Sequence, residues 1–83
     1  MKNLDIDKFK QNLEDSDIQF EVVEEGGIVV IIIILPRSRQ KIKCFTNTGQ
    51  FQFTNSISEK LELDDLLAIS RDIRAIEEVV NYL

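Results

Sequence analysis

The chain of 83 residues carries 10 Lys or Arg, 15 Asp or Glu and no histidine, giving a formal net charge of −5. This length fits a single domain spanning 1–83, and an acidic chain has little general affinity for nucleic acid. One cysteine and no histidine exclude a structural zinc site and an intramolecular disulfide. The polar N-terminus lacks a secretory signal, and no apolar run approaches the roughly 20 residues of a membrane helix. We therefore expect a cytoplasmic protein.

The first predicted elements are a helix and a strand. The helix covers residues from about 4 to 14, and either Asn3 or Asp5 is placed to cap it. Apolar and polar residues then alternate over 18–22, which predicts a half-buried strand. The apolar residues of the helix follow the three-then-four spacing of one buried stripe: Ile6, Phe9 and Leu13.

Residues 28–35 form an uninterrupted run of eight apolar residues, Ile-Val-Val-Ile-Ile-Ile-Ile-Leu. Successive side chains of a strand point to opposite faces, so this predicted strand is apolar on both faces. The Gly26-Gly27 pair before it predicts a two-residue hairpin turn, because glycine tolerates the positive φ that such turns need. Pro36 ends the strand, and two further strands are predicted at 41–46 and 51–54.

A long helical region follows the strands. Ser56-Ile57-Ser58-Glu59 matches a capping box, in which a serine oxygen and a glutamate satisfy free amides reciprocally. A short first segment near 57–62, a break around Leu63 and a restart at Asp64-Asp65 form an open alternative. The apolar residues, spaced 3, 4, 3, 4 and 3 apart, predict the buried stripe: Leu66, Ile69, Ile73, Ile76, Val80 and Leu83.

Together these elements predict an α+β domain of the order α-β-β-β-β-α. Short turns join the strands into a four-stranded antiparallel β-meander. The apolar stripes of the N-terminal helix and the long C-terminal helix then pack on one face of the sheet. No internal repeat and no linker interrupts this arrangement.

The turn lengths predict which strand residues pair. Two-residue turns at Gly26-Gly27 and Thr48-Gly49, with a four-residue loop at 36–39 between them, give one consistent assignment of faces. The predicted turn at Thr48-Gly49 pairs Cys44 with Phe53. The predicted core face carries Ile18, Phe20, Val22, Val29, Ile31, Ile33, Leu35, Ile42, Cys44, Phe51 and Phe53.

The opposite, outer face carries an aliphatic stripe flanked by long polar side chains. One interpretation is that Glu, Gln and Lys stems shield the stripe of a monomer. The other is a contact surface for another protein or for a second copy, since large apolar patches mark interfaces. In a symmetric homodimer, Glu21 of one subunit lies near Lys43 of the other. The predicted interface residues are Glu21, Val23, Ile28, Val30, Ile32, Ile34, Lys43 and Phe45.

A basic segment offers an alternative function. Arg37, Arg39, Lys41 and Lys43 fall within eight residues that contain no acid, and they are the candidate contacts to nucleic acid. Phe45 beside them is placed to stack on a base. The structural interpretation is a solubilising loop with local salt bridges.

No set of residues in the sequence forms a pattern that indicates a catalysed reaction. Cys44 lies on the predicted core face without a histidine to activate it, and the short acid pairs are explained by helix ends and turns. The sequence therefore predicts no enzyme, no cofactor, no metal site and no small-molecule substrate. It predicts a non-enzymatic protein-interaction or regulatory module, acting as a homodimer or on a protein partner. One hypothesis is an inhibitor of phage or plasmid type, whose acidic surface occupies a host protein's nucleic-acid-binding site.

Overall fold

The computed structural model describes residues 4–54 and 61–80. In order, the elements are α1 (Ile6–Asp15), β1 (Phe20–Glu25), β2 (Ile28–Ile34), β3 (Lys41–Phe45), β4 (Gln50–Phe53) and α2 (Leu63–Val79). All four strands form one antiparallel sheet in the order β1-β2-β3-β4. The predicted α+β fold of order α-β-β-β-β-α is thus confirmed.

Local hydrogen bonds explain where α1 begins and ends. The Asp5 carboxylate accepts the N–H of Lys8 at 3.1 Å, so Asp5 is the cap, and Asn3 lies outside the described residues. At the other end, the Ile18 N–H donates to the Leu13 carbonyl at 2.9 Å. Residue 17 takes a positive φ of 57° there, as the Schellman motif requires.

Helix α2 begins at Leu63, one residue before the restart that the sequence allowed at Asp64-Asp65. Asp65 in its first turn accepts the N–H of Glu62 at 3.0 Å. The predicted capping box at 56–59 and most of the predicted segment near 57–62 lie outside the described residues. Near the other end of α2, the Asn12 side-chain amide of α1 donates to the Val79 carbonyl at 3.0 Å, which joins the two helices.

The register of the first two hairpins is the predicted one, but the third is displaced by two residues. Cys44 pairs with Phe51, whereas the prediction paired it with Phe53, because the turn contains four residues, 46–49. Since the displacement is even, every side chain of β4 keeps its predicted face.

The two four-residue loops close in the same way. The Arg39 N–H donates to the Leu35 carbonyl at 3.0 Å, and the Gly49 N–H donates to the Phe45 carbonyl at 2.8 Å. Each fourth residue has a positive φ, 65° for Arg39 and 74° for Gly49. The predicted two-residue turn was wrong because it places a positive φ on the β-branched Thr48.

The core lies between the inner face of the sheet and the two helices. Helix α1 contributes Phe9 and Leu13, and Leu4 joins them from the preceding segment. From α2, Ile76 belongs to the same cluster. The sheet residues of the core are Ile31, Ile33, Leu35, Ile42 and Cys44, with Ile18 from the segment before β1.

The predicted stripe of α2 is correct only in part. Ile69 and Ile76 are buried, but Leu66 and Ile73 are 50% and 49% exposed. The helix is turned so that Asp72 faces inward, which moves Leu66 and Ile73 to the margin of the buried side. Leu83 lies outside the described residues.

The helices also leave part of the predicted core face open. Val22, Val29 and Phe51 are between 36% and 46% exposed. All three lie toward the end of the sheet that carries the Gly26-Gly27 turn and the 46–49 turn.

Candidate protein-interaction surfaces

The outer face of the sheet is more shielded than the sequence indicates. Val30 has no exposed surface, although it lies outside the core cluster to which both helices contribute. Ile28, Ile32 and Ile34 are half-buried, as are Val23 and Phe45, which flank Val30 on β1 and β3.

An ion pair within the chain contributes to the burial of Val30. Lys43 lies beside Ile32 and Glu25 lies beside Ile28, yet the Lys43 Nζ and Glu25 Oε1 atoms are 2.8 Å apart. The pair therefore spans the row of Val30 and covers it with two aliphatic stems. Both partners are partly exposed, so the pair contributes at most about 1 kcal/mol.

The predicted contact between Glu21 and Lys43 of two subunits competes with this pair. Glu21 is exposed and lies beside Ile32 on the other side from Lys43, as the register predicts. Within the part of the chain that the structure describes, Lys43 is paired with Glu25 instead. The eight-residue outer-face interface stays a prediction, and it requires Lys43 to exchange one carboxylate for another.

The structure divides the four basic residues. Arg37, Arg39 and Lys41 are exposed at the end of the β2–β3 hairpin, and none forms an ion pair with a residue in 4–54 or 61–80. Lys43 lies farther along β3 and is paired with Glu25. Three cations thus have no acidic partner among the described residues, while the fourth and Phe45 belong to the half-buried outer face.

Asp72 holds the basic loop in place and was missed by the sequence reasoning. It is completely buried, and its two carboxylate oxygens accept the N–H groups of Arg37 at 3.1 Å and Ser38 at 2.8 Å. These bonds compensate the cost of burying a carboxylate. Its spacing in the sequence could have identified it. Asp72 follows Ile69 by three residues and precedes Ile76 by four, so an acidic residue occupies a position within the buried stripe of the helix.

An apolar groove lies between α2 and β4, and we call it the α2–β4 groove. It has a volume of about 410 Å³. Phe51, at 38% exposed, and Ile73, at 49%, form part of its wall. The remaining lining is Ile42, Phe53, Ile76 and Val80, with Gln52 and Glu77 as the polar members.

The sequence reasoning did not identify the α2–β4 groove, since it assigned Phe51 and Ile73 to the core. Their exposure depends on how far α2 is turned about its axis, and periodicity alone does not fix that angle. Leu66 on the same margin of α2 is also 50% exposed.

The remaining candidates for chemistry are placed as follows. Cys44 is buried in the inner face, and this burial raises the pKa of its thiol to about 12. Over residues 4–54 and 61–80, no group of three His, Cys, Asp or Glu side chains is arranged to hold a metal ion. No helix in these same residues is long and apolar enough to cross a bilayer.

Compared with known proteins, the chain matches no family model, no curated protein and no solved structure. Its function is therefore inferred from the surfaces described above.

Proposed function

We propose that this protein is a non-enzymatic protein-interaction module that binds through the α2–β4 groove. The observation that carries the proposal is the placement of exposed apolar side chains. Leu66, Ile73 and Phe51 lie on the margins of α2 and β4 and are each between 38% and 50% exposed. Burying such a patch against another protein is favourable in proportion to the apolar area removed from water.

The chemistry of the chain supports a binding role over catalysis. There is no histidine in the sequence, and the Cys44 thiol is buried with a raised pKa. A nucleophile needs the opposite environment, in which access is open and the pKa is lowered.

The acidic balance supports a more specific form of the proposal. A net charge of −5 suits a partner with a basic surface, such as a host protein whose nucleic-acid-binding site the module occupies. In that case a short DNA or RNA duplex displaces the module from its partner. Persistence of the complex at saturating nucleic acid contradicts the inhibitor hypothesis.

Two substitutions on α2, one turn apart, test the groove. Ile73→Glu places a charge on a half-exposed margin, so we expect a folded protein that loses its associations. Ile76→Glu buries an unpaired charge at a position only 5% exposed, so we expect unfolding. Circular dichroism reports the fold, and light scattering and chemical cross-linking report self-association and partner binding.

Gln11→Glu is the control, because it adds the same charge to the exposed surface of α1. It also replaces the 2.9 Å hydrogen bond from the Gln11 side-chain amide to Asp15 with a like-charge pair, so we expect slightly lower stability, the same fold and unchanged association. The proposal is wrong if Ile73→Glu is folded and retains every association of the parent chain.

A second candidate function is nucleic-acid binding through the basic segment. It is favoured by the exposure of Arg37, Arg39 and Lys41 and by the two hydrogen bonds from this loop to Asp72, which present the cations from a fixed backbone. Lys43 joins them only by leaving Glu25.

This candidate predicts salt-dependent binding to single- or double-stranded nucleic acid. Replacing both Arg37 and Arg39 with Ala should weaken that binding and reduce its salt dependence. No binding to DNA or RNA at low salt excludes this function.

A further inference from the structure

We infer that the edge of β4 that faces away from β3 pairs with β4 of a second copy of this chain, forming an eight-stranded antiparallel sheet across a two-fold axis. The inference rests on the proposed function and names the occupant of that side of the molecule. Strand order makes β1 and β4 the two edges of the sheet.

The two edges differ in their chemistry. The exposed residues Glu21, Glu24 and Glu25 lie on β1, and charges of this kind prevent edge-to-edge association. In contrast, β4 reads Gln-Phe-Gln-Phe, with no charge, no proline and no β-bulge in its pairing with β3. Charge, proline and a bulge, three of the features that natural sheets use to prevent pairing, are thus absent from β4.

The backbone of β4 presents hydrogen-bonding groups to this edge. The Thr54 N–H donates to the Lys41 carbonyl at 3.1 Å, so Thr54 and the alternate residues Gln52 and Gln50 point their backbone groups toward β3. The N–H and C=O groups of Phe51 and Phe53 therefore point away from the sheet. Among the strands that the structure describes, none pairs with that side of β4.

The sequence of β4 is complementary to itself. With Gln52 on the two-fold axis, Phe51 of each copy lies opposite Phe53 of the other, and the outward backbone groups exchange four hydrogen bonds. The phenylalanines then form two cross-strand aromatic pairs on the inner face, beside the α2–β4 groove. Because β4 contains no acidic residue, no like charges oppose each other along the paired strands, although each copy carries a net charge of −5.

A strand of four residues is too small to hold two copies by itself. Specific interfaces bury at least about 1,200 Å² in total, so α2 has to contribute. The half-exposed Ile73 lines the same groove as Phe51 and Phe53, and Leu66 lies on the same margin of α2. A second copy on the β4 edge brings its own α2 alongside these side chains, which supplies the missing apolar area.

Gln52→Glu is the decisive substitution. Gln52 is exposed and pairs with Lys43 within the chain, so a carboxylate here is compatible with the folded monomer. In the dimer the two introduced carboxylates face each other across the axis. We expect the dissociation constant, measured by sedimentation equilibrium at low salt, to rise at least about fivefold.

Gln50→Glu is the matched control. It adds the same charge to the same face of the same strand, but in the dimer it lies opposite Thr54, so its effect should stay within about twofold. Mixing Gln52→Glu with Gln52→Lys should restore association as a heterodimer, because opposite charges then meet at the axis.

Three outcomes overturn the inference: a chain that is monomeric at every concentration, a dimer that Gln52→Glu leaves unchanged, and a mixture of the two charge variants that does not associate. A monomer that binds a different protein and loses it with Ile73→Glu retains the proposed function and excludes only the second copy as occupant. If Ile73→Glu affects neither self-association nor partner binding, the proposed function fails as well.

Discussion

At the scale of single residues, Asp72 has the clearest structural role. Its carboxylate satisfies two backbone N–H groups of the β2–β3 loop from the centre of the buried side of α2. Asp72→Ala leaves both donors without their partner, so we expect a loss of about 1–3 kcal/mol in the free energy of unfolding. Urea denaturation followed by circular dichroism measures this loss.

Asp72→Asn is the control, because the amide keeps one acceptor oxygen in a side chain of nearly the same size. Its NH₂ group replaces the other acceptor and faces a backbone N–H, so we expect Asp72→Asn to be less stable than the parent as well. Equal stability of the parent and the alanine variant means that water replaces the carboxylate, and that the loop does not depend on α2.

The buried thiol of Cys44 makes the free energy of unfolding depend on pH in the alkaline range. Burial raises the pKa of its thiol to about 12 from a reference value of 9.0. Above pH 9 the unfolded chain therefore loses this proton while the folded chain keeps it. Stability attributable to Cys44 falls as pH rises, by at most about 1.4 kcal/mol per pH unit until the folded thiol also ionises.

Cys44→Ala isolates this contribution. Other groups titrate in the same range, so the measured quantity is the difference in slope between the two proteins in urea denaturation from pH 8 to 10.5. We expect the parent to lose stability faster than the variant above pH 9. Parallel curves mean that the thiol is accessible to solvent in the folded protein.

At the scale of elements, the two four-residue loops give a matched pair of predictions. Gly49 and Arg39 occupy equivalent positions with φ of 74° and 65°. A side chain in this region costs about 1–2 kcal/mol, and glycine avoids that cost. We therefore expect Gly49→Ala to lower the melting temperature and Arg39→Gly to raise it.

Differential scanning calorimetry of the two variants checks the pair. Arg39→Ala is the control for the lost charge, since it retains the strained backbone and should leave the melting temperature nearly unchanged. If Arg39→Gly is no more stable than Arg39→Ala, the positive φ at this position carries no measurable strain.

These loops also show how far the elements follow from the sequence. The sequence pattern predicted all four strands: one buried face imposes a spacing of two on β1, β3 and β4, and β2 is marked by its uninterrupted apolar run. The third register was wrong by two residues, since Gly49 is compatible with a two-residue turn and with the end of a four-residue loop. The conformational cost at Thr48 distinguishes the two possibilities.

The orientation of α2 was predicted less well, for a different reason. Apolar spacing identified Ile69 and Ile76 correctly but placed Ile73 and Leu66 with them. A wide apolar stripe leaves the helix free to rotate by part of a turn. Its final angle depends on a tertiary contact, the hydrogen bonds of Asp72 to a loop about 35 residues earlier in the chain.

At the scale of the whole molecule, the sequence located an excess of apolar surface but not the side on which it is exposed. On the outer face, an ion pair between residues 18 positions apart, Glu25 and Lys43, spans the row of Val30. The α2–β4 groove is exposed by the orientation of α2. Both features depend on tertiary side-chain packing, which strand and helix periods do not encode.

Ile32→Glu separates the two surfaces as candidate interfaces. Ile32 is half-buried in the middle of the outer face, with Glu21 and Lys43 on either side. If the copies associate through β4, this variant loses about 1–2 kcal/mol of stability from reduced apolar burial but keeps its dissociation constant. Gln52→Glu shows the reverse pattern, with stability retained and association weakened.

Light scattering over a wide concentration range, combined with urea denaturation of both variants, measures the dissociation constant and the free energy of unfolding. A dimer that Ile32→Glu dissociates and Gln52→Glu leaves intact assigns the interface to the outer face, and Lys43 then exchanges Glu25 for Glu21 of the second copy.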